Sequence, residues 1–504
     1  MSNNVKRSVF FLFIVLLLTS CTALPGKQGK ADYRLIKAYK RTTERNPILT
    51  HTFGADPFIL VYNERVYIYM TGDVLEYNNE NKIITNSYNN INTIRIVSSA
   101  DLANWTYHEP VKAAGTNGIA KWASRSWAPA AAYKHIDGAD KFFLYFSDNA
   151  NGVGVLTADS PTGPWTDPLG KALISRHTPN CNIPWVFDPA VLIDDDGKGY
   201  LYFGGGIPQG MDENPGSARV VMLNDDMISL AGDPIKIDAP FFFEDSGINK
   251  INGKYIYSYC TNWGVTDSGR KKYGIDKAVI AIMSSDSPLG PFTSEGMIFR
   301  NPGTFFGLWG NNHHALFEFK GNWYLAYHTQ VLEEAMGIHS KGYRVTHIDS
   351  ATIKDGKIQP ITGTRRGVRQ IEPLNPFIWQ SGAISGISAG LTFASIRFTD
   401  TQEILEYADI TRNGSWIGIF GADFGEPGAA KINVSLRTGQ TDKQKIEVRL
   451  GSPSGEIIGI FTEPVSPVFT SYTIELSKKV KNIHDVYFIF SGGTMNFAGW
   501  QFLE

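Results

Sequence analysis

Three carboxylates and one histidine stand at the head of similar stretches of this chain. Asp56, Asp188, Glu244 and His313 each begin a run that passes through a turn into an aromatic-rich strand. Each lies eleven or twelve residues ahead of a tyrosine in that strand (Tyr67, Tyr200, Tyr255 and Tyr324). If the stretches are set around one axis, three acids converge on it. Cleavage of a glycosidic bond needs a proton donor for the departing oxygen and a carboxylate that handles the attacking group. A third carboxylate beside the donor opposes its ionisation and raises its pKa toward working pH. The residues alone leave open which acid takes which part. An isolated Asp-Pro commonly does no more than open a turn, but Asp56 and Asp188 share their register with Glu244, which favours chemistry. Asp245 falls one residue out of that register and is the weaker acid, and the same count selects His313 over His314. Asp194, Asp195 and Asp196 read as a solvated hairpin tip before a strand.

A fifth copy, headed by Ala128 after Trp127, completes the set. The copies span 55–72, 127–149, 187–206, 244–262 and 313–330, at a spacing of about 60–70 residues. That period, with several short strands in each copy, predicts a five-bladed β-propeller over residues 46–370. An internal echo, Asp-Ser-Pro-x-Gly-Pro-aromatic at 159–165 and 286–292, supplies tight turns. After a Pro-punctuated linker, residues 380–504 change to short alternating strands such as KINVSLRTG and DVYFIFSGG, which predict a β-sandwich (jelly-roll) domain. The fold class expected is therefore all-β.

Composition agrees. The 504 residues suit more than one domain, and aromatics at 12% with 50 glycines fit a turn-rich β protein able to stack on sugar rings. Lys and Arg (47) balance Asp and Glu (49), so the overall field argues against nucleic acid as a partner. Lys6 and Arg7 precede the apolar stretch Val9–Leu18, which is too short to span a bilayer and reads as an export signal. Leu18-Thr19-Ser20-Cys21 resembles a bacterial lipobox, in which Cys21 carries the lipid. Residues 1–21 are thus expected to be a lipoprotein signal and 22–45 a polar tether, with the protein held at the cell envelope by lipid only. Cys181 and Cys260 are expected either to pair with each other or to be buried thiols.

The segments ADPFI, SWAP, FDPAVLIDDDGKGYLYFGG, EDSGINKINGKYIYSYCTN and NNHHALFEFKGNWYLAYH, in that order, resemble glycoside hydrolase family 43. The resemblance implies Asp56 as the general base that activates water, Glu244 as the general acid, and Asp188 as the residue that tunes and orients the acid. It implies inversion of configuration, with base and acid about 6.5–9.5 Å apart to admit water. By the same resemblance Trp127 is a substrate wall and Arg344 reaches substrate hydroxyls, with Asn262 proposed for substrate from its place at the end of the acid-bearing copy. No cofactor is needed for the chemistry, and His313 is placed near a structural calcium ion or water cluster.

The C-terminal pieces NGSWIGIFGADFG, SPVFTSYTIEL and SGGTMNFAGWQFLE resemble carbohydrate-binding module family 6. That likeness points to Asn496 with Phe469 or Tyr472 as sugar contacts and leaves Trp416 as an alternative core residue. The stretch WQSGAISGIS lacks the acids usual at the module's first strand, which puts a module calcium site in doubt. Within the family, EDSGINKINGKYIYSYCTN and a fused module after LNPF look most like enzymes that remove arabinofuranosyl branches from arabinoxylan. β-Xylosidases and arabinan-cleaving enzymes share the scaffold, and the rival readings are a retaining fructan-active propeller and a silent glycan-binding lipoprotein.

Overall fold

The computed structural model describes residues 33–398, 403–440 and 443–504. Cys21, the signal before it and residues 22–32 lie outside the described residues. Strand accounts for 48% of the structure and helix for 3%.

Residues 55–351 form five separate antiparallel sheets. The first strands of the five are Ala55–Tyr62, Trp127–Ile136, Ala190–Ile193, Phe242–Ile251 and His314–Phe319, each paired with the strand that follows it. These first strands touch in chain order, and the last returns to the first. All five contribute to a cavity of about 360 Å³, where Phe58, Ala131, Val191, Ile248 and Leu316 present apolar side chains. Residues 46–54 run beside strand Val345–Ala351 of the fifth sheet: Ile48 N–H donates to the Thr346 carbonyl at 3.1 Å, and Gly54 N–H to the Arg344 carbonyl at 3.1 Å. The chain's early residues thereby tie the first sheet to the fifth. The echoed turns do related work between sheets, since Tyr69 and Tyr202 hydroxyls donate to the carbonyls of Pro161 and Pro288, each at 2.6 Å.

The backbone corrects the register counted along the sequence. Ladder pairing skips between Ala55 and Phe58, Trp127 and Ala130, and Glu244 and Gly247. Inside each skip sits a residue with positive φ: Asp56 at 46°, Ala128 at 35° and Asp245 at 67°, with Asp188 at 49° just before its own strand. This left-handed conformation is uncommon for non-glycine residues, and a β-bulge is where it is used to re-aim a side chain. Asp245 is therefore the counterpart of Asp56 and Asp188, while Glu244 shares its place with Trp127 and Phe187. The count went astray at the far end: Tyr67 pairs with Leu60, four residues past its head, whereas Tyr255 pairs with Lys250, five past Asp245.

Residues 380–504 build two sheets packed face to face. One contains Thr392–Arg397, Ile404–Ile410, Met495–Leu503, Ala429–Arg437 and Thr470–Val480; the other contains Ile387–Ala389, Ser415–Asp423, Ile483–Ser491, Lys443–Leu450 and Glu456–Pro464. Between them Phe488 meets Phe497 and Trp500, each at a ring-centroid distance of 5.4 Å. This core continues without a break into the first and fifth sheets through Trp105, Tyr107, Ile384 and Phe393. Strand Ile384–Ser385 adds itself to the edge of the first sheet beside Trp105–Tyr107. Asn104 clamps the junction: its Nδ2 donates to the Phe420 carbonyl at 2.9 Å and its Oδ1 accepts the Phe420 N–H at 2.8 Å.

Residues 33–45 fall within the stretch expected to be a tether, yet residues 33–36 lie on the second domain and Arg45 N–H donates to the Arg366 carbonyl at 3.0 Å. Tyr33 hydroxyl donates to Glu447 at 2.8 Å, and Trp416 Nε1 donates to the Ile36 carbonyl at 2.8 Å. Trp416 is buried core under that segment. Cys181 and Cys260 are both free and buried, so the disulfide alternative falls.

Candidate active site

Asp56, Asp188 and Glu244 line one cavity of about 130 Å³ together with Trp127, His313, Arg344, Tyr88, Phe187 and Asn311. Bulges in strands Ala55–Tyr62 and Phe242–Ile251 bring Asp56 and Glu244 there, and Asp188 reaches it from the positive-φ position just before strand Ala190–Ile193. Arg344 enters from the loop before strand Val345–Ala351. Its Nη1 donates to Asp56 Oδ1 at 2.8 Å, its Nε to Asp73 Oδ2 at 3.0 Å, and its Nη2 to Asp73 Oδ1 at 2.8 Å. The guanidinium also lies 4.9 Å from the centroid of Tyr88. His328 Nδ1 stands 3.0 Å from Asp56 Oδ1 and its Nε2 3.1 Å from the Asn311 carbonyl.

These neighbours divide the carboxylates electrically. Burial by itself raises Asp56, but Arg344, His313 and His328 overcome it and hold Asp56 well below the usual carboxylate range. Glu244 goes the other way. Burial first, then the charges of Asp56 and Asp245, push it up to about 8 against the opposing pull of Arg344. Asp188 is also raised, by burial and then by Glu244 and Asp56. Glu244 and Asp188 thus compete for protons as a pair. Glu244 Oε1 is buried with no hydrogen-bond partner among the described residues. Such an atom is costly to leave unmatched, by about 1–3 kcal/mol, and is explained if a ligand supplies the partner. The arrangement puts an ionised carboxylate and a protonated one on the same small cavity, which is the equipment for acid–base hydrolysis.

His313 lies among the acids. Its Nδ1 is 3.5 Å from Asp56 Oδ1 and 3.8 Å from Asp188 Oδ2, and its Nε2 is 3.1 Å from Asp245 Oδ1. Calcium asks for six to eight oxygen ligands. Both oxygens of Asp245 are already engaged by histidine N–H groups, and no group of three or more His, Cys, Asp or Glu among the described residues is set to hold a metal ion.

The model for glycosyl hydrolases family 43 matches residues 44–358, and that for carbohydrate binding module family 6 matches residues 399–504. The chain belongs to glycosyl hydrolase family 43. It is 44% identical over 520 residues to an arabinoxylan arabinofuranohydrolase of Paenibacillus polymyxa, covering 99% of this chain and 79% of that one. It is also 44% identical over 522 residues to the enzyme so named from Bacillus subtilis (strain 168), covering 99% of both. The solved structure of a family 43 arabinoxylan arabinofuranohydrolase from Bacillus subtilis, in complex with cellotetraose, superposes with a TM-score of 0.88 at 43% identity, over 93% of this chain and 99% of that one.

Of the residues expected from the sequence, the three acids, Trp127, His313 and Arg344 line this cavity, whereas Tyr88 and Asn311 on its wall and Asp73 behind Arg344 were not foreseen. Those three sit in loops without periodicity, and only the Gly-Asp doublet ending strand Arg65–Thr71 marks Asp73. Arg344 was expected to face substrate; it lines the cavity, but much of its donor capacity goes to Asp56 and Asp73. Asn262 does not line the cavity. Its Nδ2 donates to the Asp212 carbonyl at 2.9 Å and its Oδ1 accepts the Gly264 N–H at 2.8 Å, so it fastens two loops together. Trp127 Nε1 donates to the Tyr88 carbonyl at 3.1 Å, which fixes its ring at the cavity wall.

In the second domain Asn496 and Phe469 meet around Arg437. Arg437 Nε donates to Asn496 Oδ1 at 2.9 Å, its guanidinium lies 4.5 Å from the Phe469 centroid, and Asn496 Nδ2 donates to Asp409 at 2.8 Å. Tyr472 is occupied elsewhere: its hydroxyl accepts the Ser466 N–H at 2.9 Å and its ring packs 5.0 Å from Phe461.

Proposed function

We propose that this chain removes α-L-arabinofuranosyl side chains from arabinoxylan by single displacement with inversion. Asp56 deprotonates a water molecule, which attacks the anomeric carbon. Glu244 protonates the departing oxygen, and Asp188 keeps Glu244 protonated beforehand by competing for charge in the same buried cavity. The observation that carries the reading is the contrast between Asp56, clamped by Arg344, and Glu244, whose Oε1 has no partner. The likeness to two arabinoxylan arabinofuranohydrolases along 99% of the chain supports this substrate over xylose chain ends or arabinan. The small cavity suits a single pentose better than a length of polysaccharide. None of these steps requires a metal.

The same reading takes the five sheets as blades of a five-bladed propeller and the second domain as a jelly-roll module. The module's patch of Asn496, Phe469 and Arg437, whose guanidinium also lies 5.5 Å from the Tyr407 centroid, holds plant cell-wall polysaccharide. It also takes the protein as exported and held at the bacterial cell envelope through lipid on Cys21.

Incubation with wheat arabinoxylan, linear arabinan and xylo-oligosaccharides, with product identification, tests the substrate. Arabinose alone, from xylan of unchanged chain length, is the expected result, and xylose or arabino-oligosaccharides would transfer the enzyme to another substrate. NMR of the first-formed anomer tests inversion, and retention would sink single displacement. An inert protein that still binds the polysaccharides would point to a capture lipoprotein instead.

A further inference from the structure

Behind the cavity a chain of hydrogen bonds runs from strand Lys254–Thr261 to the catalytic carboxylates. Ser258 Oγ stands 2.7 Å from His314 Nε2, and His314 Nδ1 stands 2.5 Å from Asp245 Oδ2. Ser258, His314 and Asp245 are 1%, 2% and 0% exposed. The order serine–histidine–carboxylate is that of a nucleophilic triad, but at this depth no substrate reaches the hydroxyl. What the chain fixes is orientation. With its proton on Nδ1, His314 donates to Asp245 and accepts from Ser258 at Nε2.

Asp245 is the hub. Its Oδ1 accepts the His314 backbone N–H at 3.2 Å and lies 3.1 Å from His313 Nε2. Its own backbone N–H, in the bulge at φ 67°, donates to Asp188 Oδ2 at 3.0 Å. Three consequences follow for the acids. Asp188 is bonded directly, and Glu244 is the preceding residue and takes its direction from the same bulge. His313, held at Nε2, turns Nδ1 toward Asp56 and Asp188.

Gly247 gives independent support. A Cβ there would come within 2.4 Å of Ser258 Oγ and 3.1 Å of His314 Nε2. Its φ is not in the positive range, so space and not backbone conformation demands glycine. The strand has been left bare where the Ser258–His314 bond passes.

We propose that Ser258, acting through His314 and Asp245, is a positioning residue that holds Glu244 and Asp188 in register for proton donation to the leaving oxygen. The inference rests on the hydrolase reading above. It is tested with Ser258→Ala in the full chain, on arabinoxylan and on 4-nitrophenyl α-L-arabinofuranoside, whose leaving group departs without a proton. Misplacement of an acid by a fraction of an ångström should lower kcat on arabinoxylan about tenfold or more with KM within about twofold. The loss on the aryl glycoside should be several-fold smaller. Gly247→Ala, which intrudes on the same bond from the neighbouring strand, should give the same split. Equal losses on the two substrates, the signature of a merely smaller folded fraction, would overturn the proposal, as would full activity of Ser258→Ala on both. A wild type inert on both substrates would remove the hydrolase reading itself, and the inference with it.

Discussion

Arg344 divides its guanidinium between two aspartates: Nη1 lies 2.8 Å from Asp56, and Nε and Nη2 take both oxygens of Asp73. Asp73 is 1% exposed and Arg344 4%, so the fork is desolvated and rigid. A planar five-donor group suits this geometry and an ammonium does not. In Arg344→Lys, Asp56 should therefore lose much of the stabilisation of its charge. The acidic limb of the kcat/KM profile should move to higher pH by about 1–3 units. An unmoved limb would mean that Arg344 does not govern the ionisation of Asp56.

For the wild type, the two limbs have opposite origins. Glu244 must carry its proton to act and is pushed up to about 8, so activity should fall as pH rises through about that value. The fall belongs to the Glu244–Asp188 pair and need not fit one ideal titration. Asp56 must be ionised and is held well below its ordinary range, so acid should not quench it until pH drops under about 4. A basic limb near pH 5 would contradict the assignment of Glu244 as acid.

Glu244→Gln keeps the shape of the side chain and removes its proton. Turnover of arabinoxylan should drop by about 10²–10⁴ while binding of arabinoxylan oligosaccharides persists. Calorimetry of the variant with those oligosaccharides, beside product release, separates the two. Retained turnover would exclude Glu244.

The clamp at Asn104 makes the two domains one mechanical unit. Asn104→Ala leaves the buried Phe420 N–H and carbonyl without that partner and should cost about 1–3 kcal/mol. Thermal unfolding of the wild type should show one transition, because the apolar core runs through the junction. Two well-separated transitions would contradict that continuity.

Asn496→Ala should loosen Arg437 from its place over Phe469. Retention on insoluble arabinoxylan should fall, with arabinose release from short soluble oligosaccharides unchanged. Unaltered retention would remove this patch as the sugar site.

Asp56 and Asp188 were legible in the sequence because each heads an apolar run and lies eleven or twelve residues ahead of a strand tyrosine. Glu244 was legible by the same count, less securely. Counting to Tyr255 placed it with the aspartates, whereas the backbone gives that position to Asp245 and puts Glu244 beside Trp127 and Phe187. The role of Asp245 was hidden because pairing with His314 and Ser258 depends on which strands lie side by side, and linear spacing does not carry that. Tyr88 and Asn311 were invisible for a related reason, as loop residues obey no period. The five-copy pattern and the change of character near 380 led to the expectation of two domains, but not to the docking of residues 33–36 on the second one. The stretch 33–45 is polar and basic, and it takes its structure from distant partners, Ile36 and Tyr33 from Trp416 and Glu447 and Arg45 from the Arg366 carbonyl.

The strand Ile384–Ser385 on the edge of the first sheet, and the seat of Tyr33 on Glu447, set an order of assembly. A ribosome delivers the chain from its N-terminus, so the earliest of the described residues wait for a site made almost last. The first sheet keeps an open edge until residue 385 has emerged, and an open edge invites pairing with other chains. Closing such distant contacts is slow. A truncation that removes the second domain would thus leave the catalytic ring in the state a nascent chain passes through, with its edge uncovered and the grip on residues 33–36 gone.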